Sequence, residues 1–334
     1  MELTNETPFV AERVVLQDKD GRDVLVAIVK GTYVILTSGM RLAGEQTPIQ
    51  LADTFHGEPG RSSTALESDL APRKLGTDVV VLGHAYAPRG RARELDVSLA
   101  VGPMRGSLRV YGDRFWTEVM GAAALTAPEP FERMPLVYER AFGGLDATAE
   151  DPRHHEREDR NPVGLGLRAR RSRGTGEAIR APNIEDPAQL ITSLDDRPEP
   201  AGFGFIGRSW QPRAGFAGTY DEAWLKDRSP LPPADFDDRH YSGAHPRLVS
   251  RRHLNGDEPV VLLNASPGGT LRFQLPAVRP HVEVTLGNEL CPLEMAFDTL
   301  IVHADEERVV MVWRGSRVLG KKDLVRVKRV RIQA

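Results

Sequence analysis

Two blocks of short apolar segments with strand-like periodicity flank a long middle, residues 146–259, in which no apolar run occurs. That layout constrains the fold more than any motif does. A core has to be assembled from segments at opposite ends of the chain, with the middle laid over it. Long helices are disfavoured on separate grounds. The chain carries 31 glycines and 25 prolines among 334 residues, and each of these residues costs helix stability.

Before the middle, residues 24–36 are rich in β-branched side chains, with Gly31 read as a bulge. Residues 78–87 are almost continuously apolar and end at Pro88, as expected of a well-buried strand. Leu95, Val97, Leu99 and Val101 alternate with Asp96, Ser98 and Ala100, the period of a half-buried strand. After the middle, residues 260–263, 270–275 and 282–286 read as strands, and residues 300–302 and 309–313 as a hairpin around Asp305-Glu306-Glu307. The tail from Arg317 holds seven Lys or Arg against one Asp and reads as a solvated edge strand. The expected class is mainly β: an antiparallel sandwich or barrel-like core with long ordered loops and a few short helices. The expected organisation is one β-rich unit, with two subdomains as the alternative. In it, strands of residues 1–145 and 260–334 share a core and residues 146–259 form a loop-rich aromatic region.

The middle is polar, yet it carries Phe203, Phe205, Trp210, Phe216, Tyr220, Trp224, Phe236 and Tyr241. Disordered segments are poor in aromatics, and large rings can pin loops to a core. The region therefore reads as ordered loops with short helical turns. One is expected at 186–190, where Pro187 follows Asp186, and one at 221–225 with Asp221 or Thr219 as cap.

Global chemistry is bland. Hydrophobic residues make up 40% and charged residues 27%, with a formal net charge of -3, so nothing draws the chain to nucleic acid or anionic lipid. A single cysteine, Cys291, excludes an internal disulfide and a multi-cysteine zinc site; before Pro292 in an apolar stretch it reads as a buried structural thiol. No basic leader or membrane-length apolar run is found, and a cytoplasmic protein is expected.

Motifs resolve nothing further. Residues 315–321 have P-loop spacing, but Lys322 stands where Ser or Thr should hold magnesium and a valine-rich segment follows, so a turn between strands is the better reading. Residues 202–207 match Gly-x-Gly-x-x-Gly outside any βαβ unit. His154, His155 and Glu156, with Asp151, Glu158 and Asp159 nearby, fit no helical metal motif and read as a solvated loop. Asp235, Asp237 and Asp238 lack calcium-loop spacing. No metal, cofactor or catalytic residue is assigned. Carboxylates are numerous enough to leave a glycosidase-like pair open, because its defining separation is spatial.

Longer strings carry more. They are Lys74-Leu-Gly-Thr-Asp78, Val110-Tyr-Gly112-Asp113-Arg114-Phe-Trp116, and residues 131–144 ending Tyr138-Glu139-Arg140-Ala-Phe142-Gly143-Gly144. Further on come Asn161-Pro162-Val-Gly164, Pro182-Asn183-Ile-Glu185, Trp210-Gln-Pro-Arg213, Thr219-Tyr220-Asp221-Glu-Ala-Trp224 and Pro233-Ala-Asp235-Phe236-Asp237. In this order, from about Phe9 to Pro276, they resemble a bacterial family first catalogued as a domain of unknown function and associated with type VI secretion. The resemblance implies a non-enzymatic adaptor or chaperone. Its protein partners would be a secreted effector, a PAAR-type tip protein and a VgrG-type spike onto which the cargo is loaded. The other readings are a carbohydrate-active hydrolase on a β scaffold, and a structural or immunity component of the secretion apparatus.

Within these strings, Gly143 and Gly144 permit positive φ and close backbone approach beside Phe142. Arg140 and Arg213 suit bidentate pairing, with Glu139, Asp221 and Asp235 as available carboxylates. Asn161, Trp210, Tyr220, Trp224 and Phe236 complete the candidate set. Two roles stay open for all of them: locking the central loops, or touching a partner.

Overall fold

The alternating segments pair into three main sheets in a computed structural model that describes residues 1–168 and 179–333. The protein is mainly β, with 43% strand and 8% helix, and no sheet closes into a barrel among the described residues. The central sheet runs, in spatial order, Val10–Gln17, Asp23–Leu36, Arg308–Val318, Ala296–His303 and Asp78–Leu82. Its last pair is parallel and the others are antiparallel. The two ends of the chain thus interleave in one sheet. Residues 25–29 and 309–312 are essentially inaccessible, which explains why these strands read as continuous apolar runs.

Gly31 makes no bulge. It pairs with Met311 in unbroken register, and a Cβ there would lie 2.9 Å from the Phe9 ring, so the glycine makes room for an aromatic.

The second sheet is antiparallel throughout: Ile184–Glu185, Met104–Tyr111, Glu94–Val101, Pro259–Leu263 and Thr270–Gln274. The third runs Glu2–Asn5, Val327–Gln333, His281–Leu286 and Glu289–Leu293. Here the sequence reading needs correction, because the basic tail is an interior strand. Val327, Val330 and Ile332 are buried on one face. On the other, Arg329 and Arg331 pair with Glu2 (3.2 Å) and Glu6 (2.8 Å) of the N-terminal segment. That segment, Glu-Leu-Thr-Asn, has no apolar period by which to announce itself.

One apolar cluster draws residues from all three sheets and from the central loops, including Phe203, Phe205 and Trp210. A smaller one holds Trp116, Phe142, Ala181 and Ile191. The loops contain two short helices, α1 (Arg213–Phe216) and α2 (Glu222–Asp227). Asp221 caps α2 by accepting from Trp224 N at 2.8 Å, as its position suggested. The expected helix at 186–190 is a turn. Asp186 accepts from Ala188 N (3.0 Å), and the Ile191 amide is taken by Glu185 (2.9 Å), which diverts it from helical bonding. Gly315 lies inside the Arg308–Val318 strand, with the turn beginning after Val318.

The loops are fastened to the central sheet by charge. Lys30, Asp78, Asp298 and Arg314 rise from four of its strands, while Glu67, Asp69, Lys74 and Arg213 come from the loops that cover it. All eight are at most 7% exposed. Lys30 meets Asp69 and Lys74 meets Asp78, each at 2.7 Å. Lys74 also donates to Thr299 (3.0 Å) and lies 3.8 Å from Glu67. Arg213 bonds Glu67 and Arg314 bonds Asp298, and Arg314 reaches the Asp69 carbonyl (2.8 Å). Four buried cations face four buried carboxylates, and the partly exposed Arg208 also reaches Glu67 (3.2 Å) while bonding Asp53 (3.1 Å). Breaking one member strands an unpaired buried charge, which costs about 3–5 kcal/mol. Arg314→Leu is accordingly expected to lose stability of that order in urea unfolding. Arg329→Leu on the exposed face should stay within about 0.5 kcal/mol of the wild type.

Candidate functional site

The residues singled out by the sequence separate into a buried group and an exposed one. Asn161 is wholly buried; its side-chain amide donates to the carbonyls of Tyr138 (2.8 Å) and Phe142 (3.0 Å), and its main-chain carbonyl accepts from Gly144 N (2.8 Å). Gly143 (φ 152°) and Gly144 (φ 104°) let these strands meet. A Cβ would stand 2.1 Å from Asn161 O at the first and 2.5 Å from Gly164 O at the second. Phe142 fills the smaller core, and Trp210 packs edge-on against Tyr138 at 5.7 Å.

Arg213 is also buried, and its carboxylate partner is Glu67. Arg140 contacts Asp113 at 3.4 Å and Asn183 at 3.2 Å. The carboxylates expected for these arginines are engaged elsewhere. Glu139 binds the amide and hydroxyl of Ser63 (2.6 and 2.7 Å), Asp221 caps α2, and Asp235 holds Thr219 N (3.0 Å) and Oγ1 (2.8 Å). Each is satisfied by a neighbouring amide or hydroxyl, so none is left facing an arginine. Burial alone would raise the Asp113 carboxyl, but hydrogen bonds from Asn183 and Arg180 hold it below the ordinary range.

The exposed group lies around α2. Tyr220 is 57% and Leu225 64% exposed. Trp224 is half-buried, 4.7 Å from the Tyr220 ring, with its indole N–H on Leu231 O (2.8 Å). Phe236 packs on His240 (5.6 Å) and Tyr241 (5.4 Å).

Sequence reasoning missed a groove of about 540 Å³ against the second sheet. Register explains its shape. Ser107, Ser98 and Leu263 form one cross-strand row, and Arg105, Ala100 and Val261 the next on the same face. Serine and alanine side chains leave the face shallow. The wall is made by residues 201–203 and 245–248, which include Phe203, His245, Arg247 and Leu248. Phe203 O accepts from Val81 N (2.9 Å), so the wall is tied to the central sheet's edge strand. The lining carries Arg105 and Arg247 and no carboxylate, in a chain whose net charge is -3. A cavity of this size, part apolar with a few placed polar groups, is within the range of ligand sites. Ser98 and Ala100 were legible as the outward positions of an alternating strand; the wall at the edge of the neighbouring strand was not.

Two buried carboxyls are pushed up. Burial is the main cause for Asp298, opposed by Arg314 and Lys74, and for Glu185, opposed by Arg114. Both are bound by those arginines. His245, in the groove wall, is pushed down to about 4 by burial and secondarily by Arg247. Burial also lowers His240 and His303.

A depressed histidine is neutral in the folded protein and protonated in the unfolded chain between pH 4 and its ordinary 6.5. Its contribution is present above pH 6.5 and lost as pH falls through that window. For His245 the full loss is about 3 kcal/mol. Urea midpoints should therefore fall between pH 7 and 4.5, and His245→Asn should show a shallower fall than the wild type.

No curated protein and no solved structure matches this chain. Residues 20–314 match a family described as an uncharacterized protein conserved in bacteria (DUF2169). That match takes in the central sheet apart from its first strand and the end of Arg308–Val318, the second sheet, the clamped loops and the groove. The chain belongs to the DUF2169 family of bacterial proteins.

Proposed function

We propose that the protein is a non-enzymatic cytoplasmic adaptor. It holds a type VI secretion effector, or the PAAR-type tip protein that carries one, and passes it to a VgrG-type spike. The observation that carries this reading is the groove: a preformed concavity on a sheet face, with walls fixed to the core by hydrogen bonds and buried charge. The strings around Trp210 and Arg213 supply elements that fix those walls.

Three further features favour holding over chemistry. The two carboxyls with raised affinity for protons, Asp298 and Glu185, are each bound by an arginine that joins loop or strand to strand. Residues 202–207 bend across the Tyr138 ring, where a Cβ on Gly202 would lie 2.7 Å away, instead of opening a helix for phosphate. The P-loop-like Gly315 is spent on a strand. Release then comes from competition, since a spike that binds the cargo more tightly draws it off by mass action. Each tenfold preference corresponds to about 1.4 kcal/mol.

Tagged protein should co-purify with the effector and tip protein encoded beside it, and adding the VgrG-type spike should reduce the captured effector. Capture of neither protein, in stable or cross-linked form, rejects the adaptor. Turnover of a glycoside that is lost on Glu185→Gln with folding intact would establish the hydrolase instead.

A further inference from the structure

The groove has two properties that specify what would lie in it. The first is an open strand edge. Tyr111 N donates to Asn183 O (2.7 Å), and main-chain groups alternate sides along an antiparallel strand. Arg109, Ser107 and Arg105 therefore turn theirs to the same side as Tyr111. The neighbouring Ile184–Glu185 strand reaches only Arg109 and Val110. Beyond it, among the described residues, the main-chain groups of Ser107 and Arg105 meet no protein partner, and both residues line the groove.

The second property is charge. Arg105 Nη1 is anchored on the carbonyls of Gly102 and Met104 (2.7 Å to the latter), which fixes the guanidinium while Nε and Nη2 remain available. Arg247 gives one nitrogen to Asp186 (2.6 Å) and keeps the rest of its fork at the rim, with 55% of its side chain exposed. Val261 pairs with Arg272, so the Arg105–Ala100–Val261 row ends in a third arginine. The acidic row further along the face is closed on itself, Asp96 binding Arg109 at 2.5 Å.

We propose that the groove receives an extended peptide segment bearing an acidic side chain. Its main chain bonds the open groups of Arg105 and Ser107, its carboxylate lies between Arg105 and Arg247, and its small or apolar side chains lie between that strand edge and the wall residues Phe203 and Leu248. Main-chain pairing supplies affinity, and the alternate side chains supply selection. Fixed arginine forks favour carboxylate over amide. This occupant deepens the adaptor reading and rests on it.

The test uses the full chain and three labelled pentapeptides of alternating valine with glutamate, glutamine or lysine, read by fluorescence anisotropy at low salt. The glutamate peptide is expected to bind about tenfold or more tighter than the glutamine peptide, and the lysine peptide not at all. Arg105→Ser combined with Arg247→Ser should erase the preference. Ser107→Pro, which deletes an open edge N–H, and independently Ser107→Trp, which crowds that edge, should each lower affinity at least about tenfold. Circular dichroism checks that each variant is folded. The proposal is overturned by equal binding of all three peptides, by wild-type affinity in both Ser107 variants, by no binding at ~1 mM peptide, or by free glutamate competing as well as the peptide. If wild type and Ser107→Trp capture the effector alike while no peptide binds, the groove is wrong and the adaptor stands. Peptide binding as expected without effector capture supports the groove and overturns the adaptor.

Discussion

The buried charge network is the constraint on which the rest of this architecture depends. The central sheet presents Lys30, Asp78, Asp298 and Arg314 from strands that are otherwise apolar. Taking such groups out of water is unfavourable unless each finds an opposite charge with further hydrogen bonds. The loops answer Lys30 with Asp69 and Asp78 with Lys74, Gly243 N adds a 2.7 Å bond to Asp78, and Arg314, paired with Asp298 inside the sheet, reaches the Asp69 carbonyl. A long loop system with little secondary structure is thereby given fixed attachment points, as a stretch of this length in a folded unit requires.

From those points the wall of the groove follows. Arg213 bonds Glu67 and the carbonyls of Ile206 and His240, so one side chain joins the segment before α1 to the segment after α2. Ile206 N bonds Gly243 O (2.8 Å) and Phe203 O bonds Val81 N (2.9 Å). The backbone from 203 to 206 is thus pinned on both sides, and residues 201–203 stand as a wall beside the second sheet. A preformed wall matters for binding, because a segment that docks there pays for its own ordering and little for that of its host.

Much of the fold was legible, for reasons particular to each element. Residues 24–36, 78–82 and 309–313 are buried on both faces, and their continuous β-branched runs say so. The strand at 94–101 alternates because one face is open. Glu2–Asn5 was invisible because it is held by main-chain pairing beside Val327–Gln333 and has no apolar period of its own. The site was less legible. Asn161, Gly143 and Trp210 stood out by motif, yet nothing in spacing separates a locking residue from a contacting one. The signal for the network was there: Lys30 interrupts an apolar strand, and Asp298 and Arg314 flank the apolar hairpin residues. A charge inside a buried run demands a partner, but the partner's position, 39 residues away for Asp69 and 146 residues from Arg213 to Glu67, is a property of topology.

Charge is an expensive way to hold loops, and its use here points to geometry as what is being held. Apolar residues of similar volume can replace a buried ion pair without loss of stability. They attract without direction, however, and a loop fastened by them can slide by a residue. A carboxylate that must meet one amine at 2.7 Å cannot. The pairs Lys30–Asp69 and Lys74–Asp78 therefore set the register of the segment from Asp69 to Asp78 against the sheet. Arg213 ties the segment that carries Phe203 and Ile206 to Glu67 of the covering loop, which lies 3.8 Å from Lys74. A sheet face floored by Ser98, Ala100 and Ser107 has no contour of its own. It becomes a groove only at the edge where Phe203 and Leu248 pack beside Gly106, and the bonds that pin residues 203–206 fix that edge.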